Sequence, residues 1–493
     1  MSGLLKPLLK TARTATRIVA ASDADDKSKA GADYVCQGAG DQETIMAALA
    51  ECNMGKVQLL GGTYWLSAPI TYSLNQVASL LQGSGTQSCV LKAQNGTNLA
   101  ALINADVSVY NAVLRDFRVE GNKDNNPTSL DGIDCANFSG GCALENIWVQ
   151  NVKRDGFHYI SFRGASLRAS QCDRDGFTCN EGARLIHCEA GDNGNAGFAV
   201  DSSYGSSWDI WFIGCNNDGS ANTPYGFYVG GGHRIIIIGC VVNTADVGYA
   251  LEGASKGCIL IGNSAYSALH QGFRLYNAYY ASLIGNAVQN CGQATADHSD
   301  SGITLDTCDN TVVKGNIVWS EDSKMLTGIY DTDSAQLSII EGNQLVGTYK
   351  DVALKRNGVK SVYRNNYPFN QDSFKAVGQS VAIGASDAYG AATEVKSPSG
   401  VILKLGVVKL TIGGTFAAEE TVTVKIETVW KSDSVASVEK AFTATGTSFL
   451  AMEEQDGLDL WKDSDTCYLI KLYAKTNQAS TAVTVTGDLV GAG

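Results

Sequence analysis

Proline is scarce in this sequence, at 6 of 493 residues, and methionine and histidine are scarcer, at 5 each. Against 54 glycines, so few prolines exclude a proline-rich disordered chain and suit tightly turning β structure. No run of about 18 apolar residues exists, so no segment reads as a membrane-spanning helix and no membrane insertion is expected. Charged residues make up only 18%, with a net charge of −13, which argues against nucleic acid or an anionic membrane surface as the main partner. The 14 cysteines include no Cys-x-x-Cys pair, and the sequence has no Gly-x-Ser-x-Gly, His-Glu-x-x-His or phosphate-binding loop. Residues 1–17 carry Lys6, Lys10, Arg13 and Arg17 but lack an apolar core and a cleavage site, so no signal peptide is expected. Two readings of this arm stand: a basic flexible tail, or a segment that docks the protein onto a larger particle.

What the chain has instead is a repeat. A glycine followed by a hydrophobe returns at Gly132, Gly156, Gly176, Gly197, Gly226, Gly248, Gly272, Gly302 and Gly328, at intervals of 20 to 30 residues. A second signal keeps phase with it, a hydrophobic segment ending at Asn146, Cys172, Cys188, Cys215, Cys240, Asn263, Asn286, Asn316, Asn343 and Asn366. Two interleaved ladders of one period mark a solenoid. Each repeat holds short β-rich runs, such as 234–238 and 258–261, broken by Gly, Asn, Asp and Ser, and none has room for a long amphipathic helix. The expected fold is therefore all-β: a parallel β-helix whose coils stack at about 4.8 Å. Phe157, Phe177, Phe198, Phe227, Tyr249 and Phe273 should stack inside it, and the Asn ladder should satisfy buried backbone groups at an inward turn. Cys172, Cys188, Cys215 and Cys240 are expected in one column as small buried hydrophobes, since a straight column cannot converge on zinc and parallel Cβ vectors do not suit a disulfide. No metal or cofactor is expected.

Ahead of the repeat, Asp41 can cap a helix over about 41–52, with Ile45, Leu49 and Cys52 on one stripe, able to plug the open end of the solenoid. The order Ala-Asp-Tyr-Val-Cys from Ala32, Asp-Gln at Asp41, Lys56 to Tyr64, and Leu80-Leu81-Gln82-Gly83-Ser84-Gly85 resembles the opening segment of the pectate-lyase-like right-handed parallel β-helix superfamily. It is most similar to the versions in phage tailspikes and virion-associated depolymerases. The resemblance covers about residues 31–370 and implies the fold; the superfamily includes lyases, hydrolases, epimerases and inert adhesins, so it leaves the activity open. The division expected is an arm at 1–30, a solenoid at 31–375, a linker at 376–397 and an antiparallel β-sandwich at 398–493. The resemblance implies trimerisation or sugar binding for the sandwich, with a simple end cap as the plain alternative.

Candidate chemistry must come from stacking. Asp201, Glu252 and Asp306 share a column four residues after the rung glycine and stand two coils apart, about 10 Å, near the separation of an inverting glycosidase pair. Acidic residues are also common at solvated turns, and both readings stand. A second column, Asp131, Asp155 and Asp175, is either a general-acid site or an Asp-Gly turn ladder neutralised by Arg154 and Arg174. For sugar binding, Trp208, Arg274, Tyr276, Tyr279 and Tyr280 are the candidates, because a pyranose face stacks on an aromatic ring. The resemblance then implies a homotrimeric virion tailspike, made in the host cytoplasm, that binds a host surface polysaccharide. Its arm would dock to tail or baseplate proteins. Cleavage by a hydrolase or lyase mechanism is left open. The alternatives are a non-catalytic adhesin spike of the same shape, or a bacterial polysaccharide lyase or epimerase, for which the lyase signature cannot be placed.

Overall fold

The computed structural model describes residues 16–492 except 53, 74–77, 129, 202–206, 220–222, 293–299, 322–323, 333, 351, 358–360, 365, 370–373, 397–404, 431–434, 445, 452–460 and 463–464. Short strands separated by sharp turns wind into a right-handed parallel β-helix. One face is a twelve-strand parallel sheet running from Ile70–Tyr72 to Val352–Arg356. Each later coil then adds two strands of two to four residues on the other faces. In one such coil, Val247–Glu252 lies in the twelve-strand sheet and is followed by Ile259–Ile261 and Ser264–Tyr266.

The period of the sequence becomes columns of side chains. Phe157, Phe177, Phe198, Phe227, Tyr249 and Phe273 stack in order, with successive ring centroids 4.9, 4.9, 4.6, 5.0 and 4.5 Å apart and planes within 12°. All six are buried, each removing about 2–3 kcal/mol worth of apolar surface from water. The Asn ladder is equally regular. The amide oxygens of Asn286, Asn316, Asn343 and Asn366 each accept the backbone N–H and the side-chain N–H of the Asn one coil before, at 2.8–3.1 Å.

Two members of the second signal lie elsewhere. The residue one before each ladder position takes a left-handed backbone, at Asn146, Ser166 and His187 and then at Gly214, Gly239, Gly262, Gly285, Gly315 and Gly342. Asn146 therefore occupies that outer turn, and Ile147 takes the inward place. Cys172 sits at the next turn of its coil, where its N–H donates to Asn193 Oδ1 at 3.1 Å. Cys188, Cys215 and Cys240 do share a column, and Cys240 passes it to Asn263, whose Oδ1 accepts the Cys240 N–H at 2.9 Å.

At the N-terminal end, the helix Asp41–Cys52 buries Ile45, Ala48, Leu49 and Cys52 over the first coil. Asp41 does not cap it. Its carboxylate turns back to the N–H groups of Gln37 and Gly38 and across to that of Trp65, tying the helix start to a strand. The solenoid also begins before residue 31, because Thr16–Ala20 pairs in parallel with Lys56–Leu59. Residues 1–15 of the expected arm lie outside the described residues. The expected linker is likewise β structure: Phe374–Val381 pairs with Ala482–Ala492, and Thr393–Lys396 pairs with Asp465–Thr476. With Leu405–Thr415, Val422–Trp430, Val435–Phe442 and Gly446–Ala451 they form two mainly antiparallel sheets, the C-terminal sandwich.

One inward position breaks the apolar rule. The column Leu251, Leu275, Leu305 continues into Asp331, fully buried and accepting a hydrogen bond from the Tyr363 hydroxyl. Burial pushes its carboxyl up to about 6, against the partial relief that Tyr363 gives. A raised carboxyl pKa favours the fold below the ordinary range near 4 and works against it as pH rises through 6. Asp331→Asn should therefore gain about 2 kcal/mol at pH 8, within a ceiling of about 3, and nothing at pH 4. Thermal melts at the two pH values test this, and an equal effect at both would remove the charge as its cause.

Candidate functional site

The turn that follows the twelve-strand sheet carries most of the predicted residues. Trp208, His233, Lys256, Tyr279, Asp309 and Gln336 bridge from coil to coil there in one unbroken line. Beside it, at the end of the sheet, Asp201 pairs in register with Gly230 and Gly230 with Glu252, while Tyr276 pairs with Asp306. The structure therefore assembles the expected column, with Glu252 and Asp306 two coils apart. The side chain of Asp201 lies outside the described residues. Glu252 is ion-paired with Arg274, and Asp306 accepts hydrogen bonds from the hydroxyls of Thr307 and Thr332. Both carboxylates thus have protein partners, the guanidinium being the stronger.

The aromatic residues divide. Trp208 stacks flat on His233, centroids 4.9 Å apart and 4° from parallel, with the Arg234 guanidinium over its ring. Tyr279 is partly buried beneath Lys256. Tyr276 and Tyr280 stand out, 49% and 62% exposed. Tyr280 also holds a left-handed backbone, φ 55°, at a turn position filled in other coils by Asp209, Arg234, Gly257, Asn310 and Leu337. A bulky residue is costly there, and such positions collect at binding sites. The Arg274 guanidinium lies 5.9 Å from the Tyr225 ring, linking this strip to the sheet face.

A second assembly occupies the first coils. Asp131, Asp155 and Asp175 lie on consecutive coils, the first opening a strand and the other two in the turns just before Phe157–Ile160 and Phe177–Cys179, and all three are buried. Asp131 Oδ1 accepts the Asp155 N–H at 3.0 Å, and Asp155 Oδ1 accepts the Asp175 N–H at 3.3 Å. Arg174 donates to both oxygens of Asp155, and Arg154 lies 3.5 Å from Asp131, so the neutralised-ladder geometry is present. The sequence reading missed His158, whose Nδ1 is 2.7 Å from Asp155 Oδ2. The available signal was the spacing in Asp-Gly-Phe-His, which leads into one strand with a carboxylate and an imidazole three residues apart.

These groups perturb one another. Burial and the neighbouring Asp155 charge push the Asp175 carboxyl up to about 7. Asp155 is held below the usual carboxylate range by His158 and Arg174, which together outweigh its burial. His158 is raised, its contact with Asp155 overcoming desolvation. The cluster thus combines a carboxylic acid that titrates near neutrality with a carboxylate kept charged, the pairing that proton transfer uses.

Comparison with known proteins follows the fold. The family described as periplasmic copper-binding protein (NosD) matches residues 107–378, just over half of the chain. No curated protein matches. Among solved structures, the catalytic unit of a GH87 α-1,3-glucanase from Streptomyces thermodiastaticus is 16% identical with TM-score 0.51, covering 70% of this chain and 68% of that one. The pre-mature gene product 12 of bacteriophage phi29 is 14% identical with TM-score 0.51, covering 67% and 51%. The Dettilon tailspike protein is 13% identical with TM-score 0.42, covering 94% and 95%. At such identities the likeness establishes the β-helix and nothing about chemistry.

Proposed function

The chain belongs to the family described as periplasmic copper-binding protein (NosD), and on that solenoid frame we propose that it is a virion spike that binds a host surface polysaccharide. The observation that carries the reading is the exposed pair Tyr276 and Tyr280, held beside Arg274 and Glu252. Rings present a sugar face with a stacking surface, and the ion pair offers donors and acceptors to its hydroxyls. Coils about 4.8 Å apart repeat such contacts along an extended chain. Assembly as a homotrimer, docking to a virion tail and production in a host cytoplasm belong to the same proposal, on the resemblance of the opening segment to tailspikes.

Copper does not fit the residues present. It takes imidazole and sulfur donors first. Among the described residues, the one group of three donors within mutual reach is Asp131, Asp155 and His158. Two of these are carboxylates, and Arg174 already places a cation on Asp155. Cys188, Cys215 and Cys240 line the sealed core.

The test is binding of purified protein to surface polysaccharide from candidate hosts. Tyr276→Ala and Tyr280→Gly should each weaken binding about tenfold, the worth of one ring contact, and Tyr280→Gly should raise the melting temperature by relieving its turn. Unchanged affinity in both variants would end the strip as the binding surface. A second reading, cleavage of the bound glycan, is favoured by the Asp155–His158–Asp175 assembly. New reducing ends lost in Asp175→Asn but kept in Glu252→Gln would place the chemistry there; the reverse would return it to the Glu252 and Asp306 column. Absorbance of unsaturated uronates at the new ends would identify a lyase.

A further inference from the structure

The outer turn preceding the Asn ladder follows a rule that the first four coils break, at Asp116, Asn146, Ser166 and His187. From Gly214 onward, each left-handed position described there is glycine, and beyond Gly239, Gly262, Gly285, Gly315 and Gly342 there is open space. Glycine is the residue this backbone favours. Asn146, Ser166 and His187 occupy the same position at φ 47°, 53° and 51°, each paying a strain that glycine avoids. No core contact requires them, since the inward neighbours Ile147, Leu167 and Cys188 do the packing.

These three side chains form one wall of a cavity of about 300 Å³. Thr86 and Gln87 close it from the loop after Leu80–Gln82, and Arg168 and Glu189 face them from the following strands. Gly214 leaves room for the His187 imidazole, because a Cβ there would come within 2.7 Å of its Cδ2. Trp148 stands at the side, its indole N–H donating to Ser170 Oγ at 3.0 Å, with the guanidiniums of Arg118 and Arg168 at 5.3 and 4.8 Å from its ring. Stacking fixes the orientation of Arg168, whose nearest carboxylate, Glu189, is 4.0 Å away at the limit of an ion pair.

From this geometry we infer that the cavity is a binding site for a single acidic sugar residue, separate from the Tyr276–Tyr280 strip. The volume is at the low end of ligand pockets and suits one hexuronate-sized unit. Ser166, Thr86, Asn146 and Gln87 supply short polar groups for hydroxyls, and Glu189 accepts from them. The Arg168 fork, oriented by Trp148 and held only loosely by Glu189, fits a carboxylate bidentately. Asn146 also donates from Nδ2 to Asp116 Oδ1 at 2.8 Å, so it is Ser166 and His187 whose presence at glycine positions is explained by what they touch in the cavity rather than by the fold.

The strain supplies the test. Ser166→Gly with His187→Gly removes two of the three side chains of that wall while relaxing the backbone, so the double variant should melt at the same temperature as the parent or higher. Binding of glucuronate, galacturonate and N-acetylneuraminate, with glucose and galactose as neutral comparators, is measured by calorimetry and saturation-transfer NMR on the full chain. At least one acidic sugar should bind the parent tenfold or more tighter than the neutral sugars. The double variant should lose that binding tenfold or more, and Arg168→Gln should bring acidic and neutral sugars to the same affinity. Failure of all three acidic sugars to bind the parent, or unchanged binding in the double variant, overturns the proposal. Because Tyr276→Ala and Tyr280→Gly lie elsewhere, they should leave this binding intact, which separates its failure from failure of the strip.

Discussion

Asn286→Ala should destabilise the solenoid by about 4 kcal/mol, more than the loss of any surface contact. The side chain serves four partners at once. Its Oδ1 accepts the backbone N–H of Asn263 at 2.9 Å and the Asn263 amide at 3.0 Å. Its Nδ2 donates to the Leu260 carbonyl at 3.1 Å and to Asn316 Oδ1 at 2.9 Å. Truncation leaves a buried N–H and a buried carbonyl without partners, at about 1–3 kcal/mol each, and breaks a chain of dipoles that polarise one another. Asn286→Cys should cost less, since Cys188, Cys215 and Cys240 hold the same column three coils running. Chemical denaturation of the three proteins measures this; a loss under 1 kcal/mol for Asn286→Ala would show that the ladder is ornamental to stability.

Arg174→Met should cost a comparable amount, about 3–4 kcal/mol at pH 8, and much less at pH 5. Arg174 is the cation closest to Asp155, which is fully buried between Asp131 and Asp175. Removing one partner of a buried ionic group leaves uncompensated charge. The pH dependence has a definite sign. Asp155, held low, adds stability above the ordinary carboxylate range that is lost as pH falls through its folded value. Asp175, pushed up to about 7, favours the fold below about 4 and opposes it as pH rises through 7. His158, raised, adds stability below its ordinary value near 6.5 that is lost as pH rises through its folded one. Without Arg174 both carboxylates shift upward, so the variant's deficit should open between pH 5 and 8. Melting temperatures lowered equally at both values would point to lost packing of the arginine stem instead.

The columns of the solenoid were legible because they are periodic: a residue repeated every 20 to 30 positions can only be stacked, and Phe157 to Phe273 stack. Phase errors of one residue were not legible, because Asn146 and Ile147 both suit an apolar run ending in a turn, and only backbone conformation tells outer from inward. Asp41 was misread for a related reason, since a carboxylate before a helix can turn to the helix or to a neighbouring strand, and Trp65 is distant in sequence. The candidate column of Asp201, Glu252 and Asp306 was found by arithmetic, yet the Arg274 pairing of Glu252 required side-chain geometry. The cavity by Trp148 escaped because its lining comes from separate coils with no common spacing, whereas His158, three residues from Asp155, carried a local signal that the period of the repeat does not show.

The ladder of coils also decides how the molecule meets force. A pull along the solenoid axis runs parallel to the hydrogen bonds that join one coil to the next, so it peels coils from an end rather than shearing a whole sheet. Each coil that lets go yields roughly 75 Å of chain for about 5 Å of rod. The helix Asp41–Cys52 bolts one end, and the Asn ladder from Asn263 to Asn366 threads the last five of the aligned turns like a cord. A rod built in this way gives in steps and keeps its remaining coils intact.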